Sequence, residues 1–199
     1  GLSDYINSLG RKKTKRGVII SYDTRRMSFE FALTAARVLA ANGIKTYLFE
    51  NVRPVPMCSF AVRELGCIAG IMITASHNPK EYNGYKVYGE DGAQMSPEAT
   101  AKVVEYIDKT PYFNLSKADV KSGSHKDIEG KDGVELGENI TVIGKSIDDK
   151  YYDTISKLSL SKEAVDKVGK DIKIVYSPIH GSGFVPVTTM LARMGISVS

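Results

Sequence analysis

Residues 17–22, Gly-Val-Ile-Ile-Ser-Tyr, follow the basic stretch Arg11 to Arg16 as a short β-branched apolar run. That is the pattern of a strand buried on both faces. The next segment, Phe29 to Ala41, is rich in Ala and Leu, has apolar residues at 31, 35, 38 and 39 and stops at Asn42-Gly43. It predicts a helix with Ser28 as its N-cap. Lys45 to Glu50 reads as a second strand, Met57 to Leu65 as a short helix closed by Gly66, and Ile68 to Thr74 as a third apolar strand. Strand and helix alternating in this way predict a parallel sheet with helices on its faces.

Further along, Ala75 to Tyr82 is polar and turn-rich, and Tyr85 to Tyr88 resumes as a strand. Ser96-Pro97-Glu98 combines a cap, a proline at the first helical position and an early acid, so a helix is expected over Ala99 to Lys109. Residues 114–146 mix Gly, Ser and charges with few apolar side chains and read as an irregular excursion or domain boundary. The pattern then restarts with helices over Tyr151 to Leu158 and Lys162 to Val168, a buried strand Ile172 to Tyr176, a turn Ser177 to Gly183, and a helix Val187 to Arg193. The expected fold is α/β. A three-layer α/β/α domain with a mainly parallel mixed sheet occupies 1–146, and the first part of a second, similar domain occupies 147–199.

Composition narrows the class. With 199 residues, 42% hydrophobic and 25% charged, the chain has the make-up of a globular protein. The net charge is only +4 and the basic residues are scattered, which argues against nucleic acid and leaves room for a small anionic substrate. Cys58 and Cys67 form no CxxC pair and have no histidine cluster beside them, so neither a disulfide framework nor a zinc site is indicated. No run approaches the roughly 18 apolar residues of a membrane span, and the expected location is cytoplasmic. The start at Gly1 and the strand-like ending at Ser199 read as a piece of a longer chain.

The candidate chemistry lies at Thr74-Ala75-Ser76-His77-Asn78-Pro79, just past the carboxyl end of a predicted buried strand, where open α/β sheets bind ligands. An ordinary surface turn built from Ser, Asn and Pro is the plain alternative. Asn83-Gly84-Tyr85-Lys86 brings a lysine back towards Ser76, and Asp23-Thr24-Arg25-Arg26 follows the first strand at the same sheet edge. A serine, a lysine and arginines on one rim suit phosphate, because guanidinium and ammonium groups offset the charge that repels an incoming nucleophile. A serine hydrolase is disfavoured, since adjacent Ser76 and His77 diverge on an extended turn and the Gly-x-Ser-x-Gly elbow is absent. Neither a Gly-x-Gly-x-x-Gly turn nor a Walker lysine motif is present.

These residues carry a resemblance. Thr74-Ala75-Ser76-His77-Asn78-Pro79 followed by Asn83-Gly84-Tyr85-Lys86 resembles the phosphoserine signature of the α-D-phosphohexomutase superfamily, the phosphoglucomutases and phosphomannomutases. Ser21-Tyr22-Asp23-Thr24-Arg25 is similar to the family's first-domain strand and arginine turn, and Arg53-Pro54-Val55-Pro56 to its proline loop. Tyr176-Ser177-Pro178-Ile179-His180-Gly181-Ser182-Gly183 resembles the opening of its second domain. The wording around Glu81 to Tyr88 is nearest the phosphoglucomutase and phosphopentomutase-like branch.

The resemblance implies a phosphosugar substrate and a mutase cycle through a phosphoserine and a sugar bisphosphate. Sugar 1-phosphate and 6-phosphate, or their pentose equivalents, would be interconverted. Ser76 would carry the transferable phosphoryl group, and its phosphate oxygen would be one ligand of Mg2+. His77 and Lys86 would transfer protons and stabilise charge, with Lys86 as the general acid/base, and Arg25 would support the loop. The family's Asp-Gly-Asp-x-Asp-Arg metal loop, its Gly-Glu-x-Ser-Gly sugar loop and its fourth-domain phosphate loop do not occur in this sequence. The arginine-bearing strand that usually precedes this start is also missing. The expectation is therefore a fragment lacking domains 3 and 4 and inactive alone, with His180 in a structural role at a domain joint. The rival reading is a non-catalytic sugar-phosphate binding module.

Overall fold

Two short helices, α1 (Leu2–Ser8) and α2 (Arg11–Thr14), precede the first strand, β1 (Val18–Tyr22), in the computed structural model of the chain. The structure describes residues 1–111, 113 and 123–196. Every residue of β1 is buried, Ser21 included, because the strand sits in the middle of a five-stranded sheet. Helix α3 (Ser28–Ala41) leads to β2 (Thr46–Phe49), and α4 (Val55–Glu64) crosses back to β3 (Ala69–Ile73) on the other side of β1. The antiparallel β4 (Tyr85–Tyr88) adds to β3, and α5 (Pro97–Asp108) follows. A short 3₁₀ turn, His125–Asp127, and β5 (Ile140–Ile143) complete the first unit, in strand order β4-β3-β1-β2-β5.

Parallel register places Ile20 of β1 opposite both Leu48 and Ile71. Alternate residues then feed two apolar layers. Val18, Ile20 and Tyr22 pack with Ala32, Leu33, Ala36 and Leu39 of α3, together with Ile6 of α1. Helix α4 contacts β1 and β3 and buries Met57, Cys58, Ala61 and Val62. Its approach needs Gly70, where a Cβ would come within 2.5 Å of Val62 Cγ2. The connection from β1 to β2 moves to one side of β1 and the connection from β2 to β3 passes back to its other side, so the carboxyl ends of β1 and β3 border a topological switch point. Cys58 and Cys67 are free and buried, and burial pushes both thiols up to about 12, which makes neither a ready nucleophile.

The α/β class and its mainly parallel mixed sheet match the sequence expectation, while several details differ. Ser28 does not cap α3. Met27 holds the N-cap position in a left-handed conformation, φ 64°, and Ser28 is the first helical residue. The buried stripe of α3 runs through Ala32, Leu33, Ala36 and Leu39, so of the expected positions 31, 35, 38 and 39 only 39 belongs to it, and Phe31 is 47% exposed. Helix α1 and strand β5 were not anticipated. Within the stretch read as irregular, Ile140–Ile143 pairs in parallel with β2, while 112 and 114–122 lie outside the described residues.

The second compact unit, 145–199, contains α6 (Lys145–Ser156), α7 (Lys162–Val168) and α8 (Phe184–Arg193). Within it Arg193 donates to Asp149 and Asp153, both at 2.7 Å, and lies over the Tyr152 ring. The strand expected at Ile172 to Tyr176 does not form, and Val175 is 98% exposed. Its apolar residues have the composition of a strand, but a strand exists only as part of a ladder, and none of the described residues pairs with it. The strand opening expected at the end of the chain falls, from 197 on, outside the described residues.

Candidate functional site

Asp23 follows β1 and Thr74 follows β3, so adjacent parallel strands deliver both loops to one edge. There the backbone of Asp23 donates to the Ile73 carbonyl at 3.1 Å. The Ser76 loop is locally organised: Ser76 N–H donates to Thr74 Oγ1 at 3.0 Å, and Asn78 N–H to the Ala75 carbonyl at 3.0 Å. Ser76 itself has φ 56°. A left-handed backbone at a non-glycine residue costs about 1–2 kcal/mol, which contacts from outside the turn can offset.

Arg25 supplies such contacts. Its Nη1 donates to the carbonyls of Pro79 and Tyr82, each at 2.9 Å, and its Nη2 to those of Ser76 at 2.9 Å and Asn78 at 2.7 Å. Its Nε faces Asp23 Oδ2 at 3.4 Å, with both side chains only 14% exposed. The fixed fork of guanidinium donors suits several carbonyls of one curved loop. The sequence had offered this arginine as a direct phosphate donor as well as a support. Its geometry is that of a support, because its donors are turned onto loop carbonyls.

Lys86, half-buried on β4, donates from Nζ to Ser76 Oγ at 2.5 Å. Antiparallel pairing makes this contact, since Lys86 lies opposite Met72 and Thr74 N–H donates to the Gly84 carbonyl at 3.0 Å. Gly84 permits it sterically: a Cβ there would stand 2.7 Å from the Thr74 carbonyl oxygen. His77 is exposed beside Ser76 and has no hydrogen bond or ion pair among the described residues. The structure thus joins Ser76, Lys86 and Arg25 and leaves the imidazole outward. A cavity of about 1040 Å³ runs beside the loop, lined by residues including Phe31, Lys80, Asn83 and Tyr85, and its lining does not include Ser76 or Lys86.

Three polar residues around the loop, Asp23, Ser28 and Asn83, were given no role in the site by the sequence. Asp23 Oδ1 accepts from Arg25 N–H at 3.0 Å and from Ser28 Oγ at 2.7 Å. Asn83 Nδ2 donates to Ser28 Oγ at 2.9 Å and to the Arg26 carbonyl at 3.1 Å, and its Oδ1 accepts from Gly84 N–H at 2.8 Å. The spacing of Asp23 two residues before Arg25 is a turn signal for the first. No local pattern announces a bond between positions 28 and 83. Among the described residues no cluster of three or more His, Cys, Asp or Glu is placed to hold a metal. A magnesium site does not fit these residues alone, so no step is derived through one.

A serine and a lysine in contact on the carboxyl edge of a doubly wound sheet define a class of site suited to anionic group transfer. The profile described as phosphoglucomutase/phosphomannomutase, alpha/beta/alpha domain I, matches residues 2–113, and the chain belongs to that family. It is 38% identical to a phosphoglucomutase of Staphylococcus epidermidis over 90% of this chain and 30% of that protein. It is 36% identical to a phosphoglucomutase of Staphylococcus aureus over 97% of this chain and 31% of that protein. The chain therefore spans about a third of the length of these curated relatives. A protein assigned as a phosphomannomutase from Thermus thermophilus has the same fold with a TM-score of 0.73 at 23% identity, covering 99% of this chain and 38% of its own. The open form of parafusin, a Paramecium phosphoglucomutase, aligns with a TM-score of 0.69 at 20% identity over 98% of this chain and 38% of its own.

Proposed function

We propose that this chain is the phosphoserine-bearing part of a phosphosugar mutase, with residues 1–146 as its first domain and 147–199 as the beginning of its second. The observation that carries the reading is the contact of Lys86 Nζ with Ser76 Oγ, on a loop gripped by Arg25, in a member of the phosphoglucomutase/phosphomannomutase family.

In the forward step a hydroxyl of the sugar phosphate attacks the phosphorus of phosphorylated Ser76. The new P–O(sugar) bond forms as the P–Oγ bond breaks, the hydroxyl proton leaves to a base, and Lys86 delivers a proton to Oγ as it departs. The product is a sugar bisphosphate. It turns over in the site, and the reverse sequence moves its other phosphate to Ser76, interconverting sugar 1-phosphate and 6-phosphate. The ammonium of Lys86 favours each state in which Oγ carries more negative charge. Arg25 contributes by holding the loop, so that little reorganisation accompanies transfer. His77 presents its imidazole to the incoming phosphate. Mg2+, when bound, would offset charge on the phosphoryl oxygens, with one ligand from the Ser76 phosphate and the others from outside these 199 residues. The reaction belongs in the cytoplasm, and this segment alone is inactive because its metal and sugar loops lie elsewhere.

Intact-mass analysis of protein purified from cells tests this reading. A phosphate mapped to Ser76, absent from Ser76→Ala, supports it. Undiminished glucose 1-phosphate to glucose 6-phosphate conversion by a Ser76→Ala protein carrying all the domains overturns it. Appreciable conversion by the 199-residue chain would overturn its inactivity alone.

A further inference from the structure

We infer that Asn83, acting through Ser28 and Asp23, is a positioning residue for the Ser76–Lys86 pair; the inference rests on the reading above. Arg25 grips the loop along its carbonyls, from Ser76 to Tyr82. Asn83 is the next residue, and it fixes the loop exit where β4 begins. Both holds end on the same hydroxyl. Ser28 is 1% exposed at the start of α3, and its single O–H donates to Asp23, whose carboxylate positions Arg25. The lone pairs of that hydroxyl receive Asn83 Nδ2.

The orientation of the Asn83 amide is fully determined. Its Nδ2 faces two acceptors, Ser28 Oγ and the Arg26 carbonyl, and its Oδ1 faces the Gly84 N–H. A group of the same shape without donors would leave two acceptors facing an acceptor. Gly84 is also the register point of β4, since its carbonyl accepts from Thr74 N–H. Lys86 lies two residues further on. Any shift of Asn83 therefore slides the lysine along the serine. A displacement of about 1 Å at such a contact costs on the order of 100-fold in rate while leaving distant substrate contacts intact.

Asn83→Asp tests the inference, because it keeps the shape and removes the donors. In the 199-residue chain, amide exchange at Ser76 and Asn78 should rise about 10-fold or more, with α3 and β1 to β3 unchanged. In the protein carrying the remaining domains, kcat should fall about 10-fold or more while KM for the sugar phosphate stays within about twofold. Ser28→Ala should move both readouts in the same direction, and it decides the matter if Asn83→Asp also loosens the sheet. Loop exchange equal to wild type in both variants overturns the inference, as does a loosened loop with unchanged kcat. If wild type shows neither phosphate on Ser76 nor turnover, the mutase reading fails, and the exchange result still decides whether Asn83 positions the loop.

Discussion

The Ser76 turn and the turn at Ile179 are built alike. Ser76 has φ 56° and Ile179 φ 55°. In each, the residue's N–H donates to a hydroxyl two positions earlier, Thr74 Oγ1 at 3.0 Å or Ser177 Oγ at 3.2 Å. In each, a second bond closes the turn, Asn78 N–H to Ala75 at 3.0 Å or Gly181 N–H to Pro178 at 2.8 Å, and a histidine follows the left-handed residue. Only the first turn leaves a formed strand, receives four bonds from a distant arginine and meets a lysine from the neighbouring strand. Ile179 is 82% exposed. Local residues suffice to write the turn twice, but a site arises only where long-range contacts hold it.

The sharpest way to break this contrast is Lys86→Met, which keeps the stem and removes the charge. Turnover of the protein with all its domains should fall by about 10²–10⁴-fold, the usual worth of a positioned acid/base group, read from steady-state kinetics. Arg25→Ala should make the first turn behave like the second. Loss of about 100-fold in turnover is expected, together with destabilisation on the order of 2–3 kcal/mol in denaturant unfolding. A smaller effect is expected from Gly84→Ala, whose Cβ meets the Thr74 carbonyl at 2.7 Å: about 1–3 kcal/mol of stability, with faster amide exchange at Thr74. Ile179→Gly should matter least. Relief of the left-handed strain and the added freedom of the unfolded chain oppose each other, so stability should change by less than about 1 kcal/mol.

The ingredients of the site were legible at Ser76 and Lys86 because they lie close together in sequence, in a segment dense with turn residues after an apolar strand. Arg25 was legible as a companion by the logic of parallel strands, which send their carboxyl ends to one edge. Residue types alone left its target open between a phosphate and the loop that the resemblance implied, since choosing between them depends on how the loop curves. The bond between Asn83 and Ser28 was invisible because it spans 55 residues. Strand β5 escaped notice inside a Gly- and Ser-rich stretch, where its pairing with β2 outweighs its surroundings. The segment Ile172 to Tyr176 erred the other way, with strand composition and no ladder.

By itself the sequence determined the alternation of elements, the two-sided burial of β1 and β3, and the Ser76 turn with its lysine close behind. These follow from periodicity and short-range hydrogen bonding, which act within a few residues. Tertiary structure decided which apolar runs became strands, which face of α3 was buried, and that Arg25, Asp23, Ser28 and Asn83 join in one hydrogen-bonded network at the Ser76 loop. Those outcomes depend on partners brought from distant positions, and only the folded sheet sets them within hydrogen-bonding reach.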